Sequence, residues 1–232
     1  MKHHHGVVYR RLGALLLCLC LLPWAAPAEA ASQNLEISYT VTTYQNRARE
    51  LVKKLNAYRK QNGRQPLTMT ADLESVAIQR AAELFVLFDH LRPDLTDFDT
   101  ALSGYASLET GEAVAECIAA GFTNAEDALA DWQKNANDHL TDGDFTHVGI
   151  ACVYVKGSYN EYYWAMMLLK QPEGFQGKAA ADTVKAGKTK SVSVSQSPDM
   201  YKKADNSHKH FELRVNNLNL KTKQTGQPSV AL

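Results

Sequence analysis

Apolar positions recur along this chain with two periods, and the change from one to the other marks its elements. In residues 44–61, Leu51, Val52, Leu55 and Tyr58 recur at spacings of three and four with Arg and Lys between them, which predicts an amphipathic helix. Asn62-Gly63 ends it and Pro66 follows. Residues 71–89 predict a second helix with a wide apolar stripe of Leu73, Val76, Ala77, Ala81, Leu84, Phe85 and Phe88. His90 stands at its end, and Arg92-Pro93 forbids continuation, because the residue before proline avoids helical backbone angles. A short helix fits residues 96–102. Thr123-Asn124-Ala125-Glu126 reads as a capping box opening a helix to about Ala136 that buries Leu129 and Trp132. Residues 137–144 read as a polar loop. His147–Val155 and Tyr159–Leu169 are β-branched and aromatic around Lys156-Gly157-Ser158, the pattern of a buried hairpin. Beyond Lys170 the text turns rich in Gly, Ala and Lys to about Lys190 and reads as a linker. Ser191–Ser195 and His210–Lys221 then alternate apolar with polar residues and predict a small two-stranded ribbon, or a disordered tail.

The first 30 residues stand apart from this pattern. Lys2, Arg10 and Arg11 precede an apolar run from Leu12 to Leu22, and small residues follow at 26–31, as in a secretory signal peptide. The apolar run is short for a membrane span, so no stable span is expected after cleavage; an uncleaved anchor is the alternative. Export changes the meaning of the cysteines. Cys117 and Cys152 remain in the mature chain as a candidate disulfide, the other reading being two separate thiols. Charge divides the chain again: residues 31–170 hold 12 Lys/Arg and 19 Asp/Glu, net −7, and residues 171–232 hold 10 and 5, net +5. The basic part has neither aromatic interleaving nor zinc-finger spacing, which argues against a nucleic-acid module.

The blocks LNAYRKQNGRQPLTMTADLESVAIQRAAEL (55–84), DHLRPD (89–94), AECIAAGFTNAEDALADW (115–132) and DFTHVGIACVY (144–154), in this order, resemble the CAP superfamily, also called the SCP domain, in its bacterial branch. That group takes in cysteine-rich secretory, antigen and pathogenesis-related proteins. The resemblance covers residues 46–170, with 31–45 as an N-terminal segment before it and 171–232 as a basic extension after it. It implies an α+β fold: an α-β-α sandwich with a central antiparallel sheet flanked by helices. It also implies a cleft of histidines and glutamates that can hold zinc or another divalent cation.

Carried over residue by residue, His90 matches the first cleft histidine and Glu116 the cleft glutamate. Around Glu116 the family's glycine and asparagine are replaced by Ala115 and Cys117, and Glu112 is a rival for the same role. The second histidine is displaced. The stretch from Trp132 to Phe145 is two residues shorter than the resemblance implies, so the position falls on Ala136 when counted back from Phe145, with His139 as the shifted equivalent. His90 and His139 are thus the candidate metal ligands, and His90, Glu116 and His139 the candidate cleft residues. Asn135 stands where many relatives have a second glutamate, and His147 reads as a structural residue at a strand entry. No Gly-x-Ser-x-Gly elbow is present. The resemblance and its departures imply a secreted or cell-envelope protein with a partly eroded cleft. Such a protein would bind an extracellular lipid, peptide or cell-wall component; a metal-dependent or His/Glu-based hydrolase is the other reading.

Overall fold

The computed structural model describes residues 33–108, 111–175 and 177–200, and the backbone of 221–223. The signal-peptide reading for residues 1–30 falls outside these residues. Among the described residues, seven strands form one sheet: β1 (Leu35–Thr43), β2 (Thr68–Met69), β3 (Ala113–Ala120), β4 (His147–Tyr154), β5 (Tyr162–Lys170), β6 (Lys188–Gln196) and β7 (Lys221–Lys223). The order across it is β3-β5-β4-β1-β6, with β2 on β4 and β7 on β1. All pairings are antiparallel except that of β2 with β4. The helices are α1 (Gln45–Gln61), α2 (Ala71–Val86), α3 (Ala125–Asn135) and α4 (Asn137–Thr141), with a 3₁₀ helix at Phe98–Leu102.

Strand alternation splits the core in two. Ala151 and Val153 of β4, with Tyr163, Ala165 and Met167 of β5, face α2 and join Leu73, Val76, Ala77 and Leu84. The intervening Val148, Ile150, Trp164, Met166 and Leu168 face the other way and join Leu51 and Leu55 of α1 and Leu129 and Trp132 of α3. The sheet therefore carries helices on both faces, the α-β-α sandwich expected. β4 and β5 are covered on both faces, which explains why they read as continuous apolar runs.

Several elements differ from the sequence reading. The cap of α3 shifts by one residue: Asn124, not Thr123, accepts the N–H of Asp127 at 2.9 Å. An asparagine satisfies the same orphan donor as a threonine, so the text fitted both. The loop predicted at 137–144 contains α4, held because Arg59 donates to the carbonyls of Leu140 (2.7 Å), Asp142 (2.9 Å) and Phe145 (3.3 Å). Nor is the chain after Lys170 a free linker. Gln171 donates to Ser107 O, Ala71 N to Lys178 O, Ala180 N to Met69 O, and Arg49 to Ala181 O. β6 pairs with β1 along its whole length, Leu35 opposite Gln196 and Thr43 opposite Lys188, so the ribbon is part of the main sheet. Its expected partner, His210–Lys221, lies outside the described residues apart from Lys221. Past β6, Ser197 N donates to Pro93 O at 2.8 Å and Met200 is buried in the α2 core. The extension thus runs from the start of α2 to the loop beyond its end, the loop that carries His90.

Candidate functional site

On a helix, positions three apart share a face, and in α2 that rule puts Arg80 and Glu83 together facing the sheet. On β3, residues 115, 117 and 119 point to the α1 and α3 layer, so Glu116 points to α2. The result is a buried ionic chain. Arg80 Nε donates to Glu116 Oε1 at 2.6 Å and its Nη2 to Glu116 Oε2 at 3.1 Å. Its Nη1 reaches Glu83 Oε2 at 2.8 Å, and Arg92 holds Glu83 through bonds of 2.7 and 3.1 Å. Arg80 and Glu116 side chains are 0% exposed. Two guanidinium groups match two carboxylates, which is the condition for ionic groups to lie so deep. Burial pulls the Arg80 pKa down, but the hydrogen bonds and charges of Glu116 and Glu83 outweigh it and leave it raised.

His90 ends this chain at the surface. α2 stops because Leu87 turns to an extended conformation. The following loop is tied by Asp89 accepting Leu91 N, by the Leu91–Asp97 bridge, by Arg92 N on Thr96 O, and by Leu95 at φ +68°. Arg80 Nη2 also donates to Asp89 O at 3.0 Å, fastening the loop to the buried pair. His90 Nδ1 lies 2.9 Å from Glu116 Oε2, while its side chain is 57% exposed. A carboxylate at that distance accepts a hydrogen bond from Nδ1–H, which orients the ring and turns Nε2 outward, an acceptor in the neutral imidazole. The Phe98 ring stands edge-on at 6.3 Å. Both oxygens of Glu116 are engaged, so it orients the imidazole and is not a free base.

The sequence placed His90 and Glu116 in one cleft, and the structure brings them together. His139 does not join them. It is exposed on α4, which packs against α1 and α3 on the other face of the sheet from α2. The alternative position, Ala136, presents only a methyl group, half-buried at the joint of α3 and α4. Glu112 is paired with Lys170 at 3.2 Å instead of with His90. A zinc centre takes three or four protein donors. Among the described residues, no three His, Cys, Asp or Glu side chains are placed to hold a metal ion, and the site offers one free imidazole nitrogen. The described residues around His90 therefore do not by themselves make up the donor set of a zinc or similar divalent centre.

The disulfide expectation is corrected by the sheet register. Cys117 lies opposite Met166 and Cys152 opposite Trp164, with β5 between them. Two strand spacings, about 10 Å, exceed the roughly 7 Å that a disulfide spans between Cα atoms. Both are buried free thiols on the α1 and α3 face, away from His90. Burial, helped at Cys117 by the Glu116 charge, pushes each thiol up to about 12, which disfavours the reactive thiolate at both.

His147 is held at the start of β4 by Thr146 Oγ1 at 2.8 Å and by the Phe175 ring edge at 5.0 Å. Burial lowers its pKa from 6.5. The unfolded chain therefore takes up its proton first as pH falls, and stability declines below 6.5 until the lower folded value is passed. His147→Gln is expected to flatten that part of the stability profile, read as urea midpoints at about pH 7.5 and about pH 5.5. Equal slopes in both proteins would remove His147 from the acid response.

Sequence reasoning missed Arg80, Glu83 and Arg92 as members of the site. The profile of the cysteine-rich secretory protein family, CAP, matches residues 52–168. The chain belongs to this family. Among solved structures, this CAP domain is similar to an outer surface protein from Borrelia burgdorferi, at 17% identity and a TM-score of 0.49, over 55% of this chain and 95% of that one. It is also similar to an extracellular SCP-domain protein from Bacillus anthracis, at 20% identity and a TM-score of 0.47, over 55% of this chain and 41% of that one. A cysteine-rich secretory protein from Staphylococcus aureus gives 17% identity and a TM-score of 0.42, over 55% and 39%. The chain therefore spans less than half the length of the last two. The comparison with curated proteins gave no match. Among the described residues, no helix is long and apolar enough to cross a membrane.

Proposed function

We propose that this CAP-domain protein is exported and acts at the cell surface by binding a ligand or partner at the face around His90. The observation that supports this most is the state of Glu116. Its two oxygens are taken up by Arg80 and His90, so Glu116 presents one oriented, exposed imidazole and is not itself free to act. That arrangement suits recognition, where an oriented ring nitrogen at Nε2 meets a polar group of the ligand, better than metal chemistry. The candidate ligands are a lipid, a peptide or a cell-wall component. A hydrolase is the second reading, and the His90–Glu116 contact of 2.9 Å favours it, because a carboxylate-backed imidazole can act as a general base.

The test uses the exported protein and its His90→Ala variant with isolated cell-wall sacculi, phospholipid vesicles and a peptide panel. Binding to one of these, weakened about tenfold or about 1.4 kcal/mol in the variant, is the expected result. Binding that ignores His90 would defeat the proposal. Release of soluble fragments that stops in His90→Ala would put the hydrolase in its place.

A further inference from the structure

We infer that the His90 face selects a cationic ligand: a peptide segment that presents a lysine or arginine beside an apolar side chain. This rests on the binding reading above and adds its chemistry. A cleft of about 300 Å³ is lined among others by Asp99, Leu102, Leu108, Glu112, Val114 and Leu169, on the elements that flank His90. It adjoins His90 through two elements. Val114 is two residues from Glu116 on β3 and shares its face, about 7 Å away. The 3₁₀ helix that supplies Asp99 and Leu102 begins at Phe98, whose ring stands against His90.

Size and lining narrow the occupant. The cleft is at the small end of the range for ligand sites, room for side chains and not for a large body. Its apolar residues offer a wall for an aliphatic stem, and its charged lining residues, Asp99 and Glu112, are both carboxylates and both exposed. Lysine and arginine have that division, an apolar stem and a charged head that stays wet. The surroundings reinforce the sign. Lys170 beside Glu112 (3.2 Å) is itself shared with Asp144 at 3.8 Å, so it neutralises Glu112 only in part, and among the described residues no cation is paired with Asp99. Asp94 and Asp97 add to this on the His90 loop. Arg92 does not offset them, because its guanidinium is bound to Glu83. Nor does the buried chain, where charges balance. With carboxylates outnumbering the one ammonium, a ligand carboxylate would meet net repulsion here, while a cation would be drawn in, more weakly as salt is added.

Fluorescence anisotropy decides it with two labelled tetrapeptide amides, one alternating leucine and lysine, the other leucine and glutamate. The partners are wild-type protein, Asp99→Asn/Glu112→Gln and His90→Ala. The two acidic positions are exposed, and matching thermal melts would show that the double variant folds. The expected result is at least tenfold preference for the lysine peptide, lost in the double variant and reduced by salt. Equal affinity for both peptides, a preference that survives the double substitution, or binding of neither would overturn the inference. If His90→Ala weakens whichever peptide binds while charge makes no difference, the binding face stands and its cationic selectivity falls.

Discussion

Arg80→Met is expected to lower the free energy of unfolding by about 3–5 kcal/mol, the cost of removing one partner from a buried ion pair. Three features put it at the upper end. The guanidinium serves Glu116, Glu83 and the carbonyl of Asp89 at once. Glu116 is left with only His90 beside it, and Glu83 with Arg92. Neither carboxylate can reach water without moving α2 from the sheet, since both side chains are at most 1% exposed. For a domain of ordinary stability, 5–15 kcal/mol in all, the variant would be close to its limit. Adding Glu116→Leu removes the stranded charge and should recover much of the loss, because buried ionic groups replaced together by apolar ones are often neutral. Denaturant midpoints of the two single variants and the double form a cycle that isolates the pair. A loss below about 1 kcal/mol for Arg80→Met, or no recovery in the double variant, would mean that the chain of charges does not hold the site together.

That network is also the clearest case of what the amino-acid sequence conceals. Arg80 and Glu83, three apart on a helix, look in the text like a solvent-exposed pair of small value. Only the crossing of α2 over β3 puts them in the core, and no periodicity reports a crossing. His90 and Glu116 were legible because two blocks of family text carried them, and their meeting follows from the fold those blocks imply. His139 was a matter of counting across a shortened stretch, and Arg59 gathering the carbonyls of Leu140, Asp142 and Phe145 decides where the shorter chain goes. β3 was poorly legible as a strand, because Ala113-Val114-Ala115-Glu116-Cys117-Ile118-Ala119-Ala120 is dominated by alanine, which strands disfavour. The alternation of Val192 and Val194 with serines was read correctly as a strand with the wrong partner. Its mate β1 lies some 155 positions away, Ser38 bonding Ser193 across the pair, and nothing local in β6 names it. With β1 and β6 in the same sheet, the folded unit reaches beyond the family-matched segment at both ends.

Gly149→Ala is the second substitution with a large expected effect, and its reason was present in Thr146-His147-Val148-Gly149 without being readable there. A methyl group at 149 would lie 2.0 Å from Leu73 O, 2.3 Å from Leu73 C and 2.8 Å from Glu74 N. All three are backbone atoms of the first turn of α2, so no side chain can rotate away. To make room, α2 must lift from β4 or β4 must bend, and each is held. Thr70 N and Ala71 N are tied at the helix start to Val148 O and Lys178 O, and Gln45 links Glu74 to Ile150 O. Overpacking a fitted core costs about 1–3 kcal/mol and sometimes more; here, with backbone on both sides, about 3 kcal/mol or above is expected. The consequence reaches the site, because the other end of α2 holds Arg80 and the loop of His90. Lifting the helix would lengthen the Arg80–Glu116 contact and loosen the imidazole. Chemical denaturation checks the stability, and hydrogen exchange over residues 89–97 checks the transmission. A variant as stable as wild type with an unchanged loop would show that α2 does not lie on the β4 backbone as described. A variant that is destabilised while the loop keeps its protection would show that the two ends of α2 are mechanically independent.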